Sequence, residues 1–141
     1  MEVYQLTYRS EAIPKISAKE IEDILDEAKT HNSPNGITGC LVYHKGNFIQ
    51  LLEGEEEKVL EIYSYIKTDK RHQNPHVISK GWGKERVFKD WNMAYIDMAE
   101  LKVGDKQKLL KKSVDELTAM ADENNYTLNL FWYNIFILLN E

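Results

Sequence analysis

Two apolar runs, Ile37 to Tyr43 and Phe48 to Leu52, are separated only by His44-Lys45-Gly46-Asn47. Short apolar runs with a glycine in a tight link predict an antiparallel hairpin. This hairpin orders what flanks it. Upstream, Val3 to Thr7 alternates weakly, with Tyr4, Leu6 and Tyr8 on one side and Val3, Gln5 and Thr7 on the other. That predicts a strand of about six residues. Ser17-Ala18-Lys19-Glu20 has the form of a capping box, and Ile21, Ile24, Leu25, Ala28 and Asn32 follow on one helical face. Pro34, Asn35 and Gly36 stop that helix. Downstream, Glu55, Glu56 and Glu57 open a second helix, where negative charge suits the positive end of the dipole. Val59, Ile62, Tyr63 and Ile66 give it an apolar face. Asn74-Pro75 closes the next region, and Val77 to Ile78 and Met93 to Ile96 read as two further strands.

The order β-α-β-β-α-β-β contains the split βαβ pattern of a ferredoxin-like, α+β fold. Two helices cover one face of such a sheet and leave the other bare. A cover is available further on. Leu109, Leu110, Val114, Leu117 and Ala121 make an amphipathic helix from about residue 105, Asp122 to Asn125 breaks it, and Leu128 to Leu139 forms a second, very apolar helix. That last helix is too apolar to lie exposed. It covers the bare face, makes a homodimer contact, or does both.

Composition narrows the function classes. The 141 residues amount to one domain. A net charge of −5 gives no bulk reason to bind nucleic acid. One cysteine, Cys40, excludes an intramolecular disulfide framework and reads as a small buried residue. Glu2 and Gln5 interrupt the N-terminus, so no secretory leader is expected. Leu128 to Leu139 is too short to span a bilayer. A cytoplasmic protein without a membrane partner is the expectation. No phosphate loop, zinc spacing or nucleophile elbow stands out.

A few polar residues are out of place. Gln50 sits inside Phe48-Ile49-Gln50-Leu51-Leu52, where a buried amide needs partners. It has both donor and acceptor atoms and reverses polarity on rotation; a backbone partner or an edge position would also account for it. Asn32, after His31, is either a helix-end residue or a ligand. Asp69-Lys70-Arg71-His72 is either an anion cradle or a solvated charge run. Trp82, Phe131 and Trp132 read as core or interface residues.

Taken in order, Leu6-Thr7-Tyr8-Arg9-Ser10, His31-Asn32, Asn35-Gly36-Ile37-Thr38-Gly39, Phe48 to Gly54, Asp69 to His72, Arg86-Val87-Phe88 and Trp91-Asn92-Met93 resemble the BLUF family, the blue-light sensors that use FAD. The resemblance covers residues 2 to 98. It implies a flavin-binding domain over 1–98 and a helical extension over 99–141. It implies a non-covalent flavin, FAD with FMN as an alternative, held between the two helices, with Ile24 and Ile66 sandwiching the ring. Asn32 would meet one polar edge of the ring. Asp69, Arg71 and His72 would meet the other edge and the ribityl chain, and Lys29 and His31 would lie near the phosphate. Ala28 and Phe48 also fall at cofactor-binding positions.

By the same resemblance Tyr8 and Gln50 are the photoactive pair. Tyr8 gives an electron and then a proton to the excited flavin, and Gln50 relays the proton and changes orientation or tautomer. Trp91 and Met93 sense that change and pass it to the C-terminal helices. Cys40 is not needed. Three positions depart from the family pattern: Ala28 where many members have Ser, Tyr65 where some have a basic residue, and Asn92 in place of a smaller residue.

The expected function is therefore that of a non-enzymatic photoreceptor, because residues 99–141 leave no room for a cyclase, phosphodiesterase or DNA-binding module. Output would run through an unidentified partner protein or a homo-oligomer, dimer or higher. Two alternatives stand beside it: an acylphosphatase-type hydrolase using Arg9, and a light-independent interaction module.

Overall fold

The computed structural model describes residues 2–88, 93–97 and 126–139. The hairpin consists of β2 (Thr38–His44) and β3 (Asn47–Gly54), with His44 paired to Asn47. Lys45 and Gly46 between them both have positive φ, 46° and 78°, the signature of a two-residue turn whose twist matches the strands. At Gly39 a Cβ would sit 2.0 Å from the Leu51 carbonyl oxygen. Only glycine allows that approach of β2 to β3.

β1 (Val3–Ala12) runs antiparallel to β3, and β4 (His72–Gly83) lies antiparallel on its other side. β5 (Ala94–Asp97) pairs in parallel with β2. The five-stranded order is β4-β1-β3-β2-β5. The first four strands reproduce the ferredoxin-like pattern, and Gln50 falls on the middle strand.

Two strands are longer than the sequence suggests. β1 continues past Thr7 because Ser10 and Glu11 still pair with Phe48 and Asn47. β4 is not ended by Asn74-Pro75; both residues lie inside it. Its pairing with β1 slips between Arg9 and Glu11, and Asn74 adopts φ 51° there. A bulge on an edge strand absorbs a proline that a central strand would reject.

α1 (Ala18–Asn35) begins at Ser17, whose Oγ accepts from the Glu20 N–H while Glu20 accepts from the Ser17 N–H, so the capping box forms as expected. Pro34 lies in its last turn, and Gly36 caps it at φ 65°. The Ile37 N–H then bonds to the Asn32 carbonyl at 3.0 Å. α2 (Glu56–Thr68) opens with Glu56 and Glu57 in its first turn.

One core lies between these helices and the sheet, built from Tyr4, Leu6, Tyr8, Ile21, Ile24, Leu41, Phe48, Leu52, Val59, Tyr63 and Met93. The alternate strand residues Gln5, Thr7, Cys40, Val42, Ile49, Leu51 and Glu53 are buried too. α3 (Tyr126–Leu139) lies against β4, β1, β3 and β2 with Phe131 and Ile135 fully buried. These two are spaced i, i+4 and make one stripe. Cys40 is buried, as its apolar context predicts. Trp82 is not core: it is 52% exposed, with an edge contact to Tyr4 at 5.3 Å between centroids. The helix expected from about residue 105 and the break at Asp122 to Asn125 lie outside the described residues, as does Trp91. No helix among the described residues is long and apolar enough to cross a membrane.

Candidate functional site

A cleft of about 440 Å³, its open mouth included, runs between α1 and α2 down to β3. Helical spacing puts Ile24, Ala28 and His31 on one wall and Ile62, Tyr65 and Ile66 on the other. Gln50 lies at the bottom. Asn32, Asp69, Arg71 and His72 supply polar groups. Apolar walls with a few convergent polar groups are what a flat, polar-edged ligand requires. The aliphatic side chains can cover the two faces of an isoalloxazine ring, and the amides and charged groups can meet its heteroatom edges. The residues present therefore fit a flavin.

Behind Gln50 stands Tyr8, fully buried and directly opposite it in the β1–β3 register. The phenol donates a hydrogen bond to Gln50 Oε1. Gln50 Nε2 donates to Met93 Sδ at 3.2 Å. The amide is thus shared between the side chains of Tyr8 on β1 and Met93 just before β5, and its backbone carbonyl is held by Thr7 Oγ1 at 3.0 Å. Burial, with smaller contributions from Tyr63 and Asp69, pushes the Tyr8 pKa well above 10.0. The phenol is neutral at physiological pH, and its proton points at the amide oxygen.

Next to the pair, Ser10 Oγ and His72 Nδ1 share a hydrogen bond of 2.8 Å, and Phe48 packs on the imidazole at 4.8 Å between centroids. Burial pushes the His72 pKa down to about 4; the Asp69 carboxylate opposes that fall and the Arg71 charge adds to it. The ring is neutral at pH 7. Asp69 and Arg71 form a two-pronged ion pair, with Nε to Oδ1 at 2.9 Å and Nη2 to Oδ2 at 2.7 Å. Burial raises the Asp69 pKa, but the hydrogen bonds and charge of Arg71 win and hold it below 3.8. Arg71 Nη2 also bonds to Glu27 of α1, so the guanidinium ties α1 to the turn after α2.

The cleft gathers Ile24, Ala28, His31, Asn32, Gln50, Ile66, Asp69, Arg71 and His72 from separate parts of the sequence. Tyr8, Phe48 and Met93 form the buried layer around Gln50 and His72. Lys29 is exposed and does not line the cleft. Glu27 was not foreseen; it lies three residues after Ile24 and four before His31, a helical spacing that could have flagged it. Arg9 is on the sheet face away from the cleft, its Nη2 donating to Asn47 Oδ1 at 3.2 Å. Among the described residues no group of His, Cys, Asp and Glu could hold a metal ion.

Comparison with known proteins bears on this site. Residues 3–94 match the model of the family described as BLUF, sensors of blue-light using FAD. The blue light- and temperature-regulated antirepressor BluF of Escherichia coli (strain K12) is 29% identical over 136 residues, which is 96% of this chain and 33% of that protein. The photoactivated adenylate cyclase subunit beta of Euglena gracilis is 33% identical over 89 residues, 62% of this chain and 10% of that one. The chain thus spans a third or less of the length of these two relatives. The photo-activated state of BlsA superposes with a TM-score of 0.72 at 29% identity, covering 97% of this chain and 96% of that one.

Proposed function

The chain belongs to the BLUF family, sensors of blue light using FAD, and on that premise we propose that it is a photoreceptor whose light-responsive pair is Tyr8 and Gln50. The observation that carries this reading is the shared amide: Gln50 accepts from the Tyr8 phenol and donates to Met93 at the bottom of the cleft.

The bound flavin supplies absorption of blue light and, once excited, an acceptor for one electron and one proton. The chain's own residues supply the rest. Ile24, Ala28 and Ile66, which line the cleft, would cover the ring's faces and exclude water. Asn32, Asp69, Arg71 and His72 would orient its polar edges, with Phe48 supporting His72, and His31 and the exposed Lys29 would be the basic side chains offered to the phosphate. Tyr8 holds its proton on the hydroxyl because burial disfavours phenolate. Its way out is the hydrogen bond to Gln50 Oε1.

Gln50 has one strong and one weak attachment, since a thioether sulfur is a poor acceptor. Its backbone is fixed by pairing with both Tyr8 and Leu41. Only the side chain can respond, and half a turn of the amide exchanges its donor and acceptor ends. The Met93 contact would then meet an oxygen in place of an N–H. Met93 immediately precedes β5, so the change reaches the sheet edge. With Trp91, it would carry the signal to the C-terminal helices. The output is contact with a partner protein or a change in homo-oligomer assembly, in a non-enzymatic, cytoplasmic protein.

An absorption spectrum before and after blue illumination tests this. The purified protein should be yellow, shift to the red in blue light and return in darkness. A colourless protein that also fails to take up added FAD or FMN would refute the proposal.

A further inference from the structure

One polar contact of the cleft runs from wall to wall. Arg71, which follows α2, donates through Nη2 to Glu27 of α1, and both residues line the cleft. The two sides of this contact are built differently. Asp69 holds the guanidinium at Nε and Nη2, at 2.9 and 2.7 Å, and accepts from the Arg71 backbone N–H at 3.0 Å as well. A two-pronged pair of this kind fixes direction as well as charge. The Asp69 and Arg71 side chains are only 13% and 21% exposed, so this post is set into its wall. The Glu27 side chain is 46% exposed and has no other hydrogen bond or ion pair among the described residues. It is a long side chain held at its tip alone, and it is the partner that can let go.

Four residues further along α1 there is a second crossing. The exposed rings of His31 and of Tyr65 on α2 meet at 5.5 Å between centroids, and both line the same cleft. Residues four apart on a helix share a face, so the ion pair and the ring pair bridge the gap one turn apart, on its solvent side.

We propose that Glu27 and Arg71 form a strap across the cleft mouth, closed with or without the cofactor, which opens on the Glu27 side to let a flavin pass. Glu27 is a positioning residue, acting through Arg71, that sets how fast the cofactor exchanges. The inference rests on the reading of the cleft as a flavin site and uses no step of the photochemistry. A strap closed in both states adds to the barrier and not to the affinity, so it slows entry and release by the same factor. That signature separates it from other roles. A strut that holds the walls at the right spacing would support the bound state, and its loss would weaken binding. A carboxylate that competes with the flavin for Arg71 would do the reverse.

The experiment measures two quantities in the dark: FAD release from the holoprotein, read by the rise of flavin fluorescence on dilution, and the dissociation constant, from titration of flavin-free protein with FAD. Glu27→Ala should speed release about threefold, in keeping with a part-exposed ion pair, and leave the dissociation constant unchanged. The ring pair stays in place in this variant, which keeps the rise modest. Glu27→Gln keeps an oxygen for Arg71 but no charge, and should fall between wild type and Glu27→Ala. In about 1 M salt, where charges act over only about 3 Å, wild type should release FAD as fast as Glu27→Ala. Unchanged release in Glu27→Ala overturns the proposal. So does a dissociation constant that rises with the release rate, or one that falls, or a gap between wild type and variant that salt leaves intact. A wild type that takes up no FAD would instead fail the reading of the cleft itself, and this proposal with it.

Discussion

Tyr8 and Gln50 are register partners on two interior strands, so the backbone ladder itself holds phenol and amide together. Tyr8→Phe deletes the hydroxyl and leaves the ring and the strand in place. Flavin binding is expected to persist and the light-driven red shift to vanish, read by difference spectroscopy. A wild-type photocycle in this variant would remove Tyr8 from its assigned role.

Gln50→Leu should also bind flavin without a red shift. It leaves the buried Tyr8 hydroxyl without its acceptor, at a cost of about 1–3 kcal/mol. Adding Tyr8→Phe removes the orphaned group, so the double variant should be more stable than Gln50→Leu alone. Urea denaturation of the two single variants and the double one measures this coupling. Strict additivity would show that the bond contributes nothing.

His72 predicts a pH dependence. Its folded pKa of about 4 lies below the ordinary 6.5. Above pH 6.5 both folded and unfolded forms are neutral, and stability is full. Between 6.5 and about 4 the unfolded chain takes up the proton first, so stability falls by up to about 3 kcal/mol. Below about 4 this contribution is flat. Asp69, held below 3.8, acts in the next window down: its contribution is complete above 3.8 and is lost as pH falls through its lower folded pKa. Denaturation of wild type and His72→Gln at pH 7 and pH 5 separates the two groups. Glutamine at 72 should remove most of the fall between those values.

α3 should matter for stability through one stripe. Phe131→Ala empties a fully buried site and is expected to cost about 3–5 kcal/mol. Tyr133→Ala, on an exposed part of the same helix, should change stability by no more than about 0.5 kcal/mol. Equal losses at the two positions in thermal denaturation would contradict the docking of α3 through Phe131 and Ile135.

The parts of this fold that were legible in the sequence are those set by local chemistry. The Ser17–Glu20 box, the positive-φ turn at Lys45-Gly46 and the helical faces of α1 and α2 each follow from near neighbours in the chain. What local reading missed depends on distant partners. Asn74-Pro75 looks like a stop, yet β1 holds the strand together on both sides of it. Trp82 looks like core, but it sits at the exposed outer strand. Glu27 has no meaning until Arg71 arrives from beyond α2. The ordered set of short motifs did mark Gln50 and Asn32, because the family pattern carries the tertiary information that periodicity lacks. It also included Glu53 and Phe88 without hinting that they touch.

The bulge in β4 has a consequence beyond shape. β4 pairs only with β1, so its other side is a free rim of the sheet among the described residues. A rim of that kind invites a foreign strand to zip on, and aggregation starts this way. Here the zipper would jam midway: Asn74 turns the backbone out of line, and Pro75 has no hydrogen to give. Copies of this chain that meet along this rim can knit only short stretches on either side of the jam, so stable self-association has to be sought on another surface.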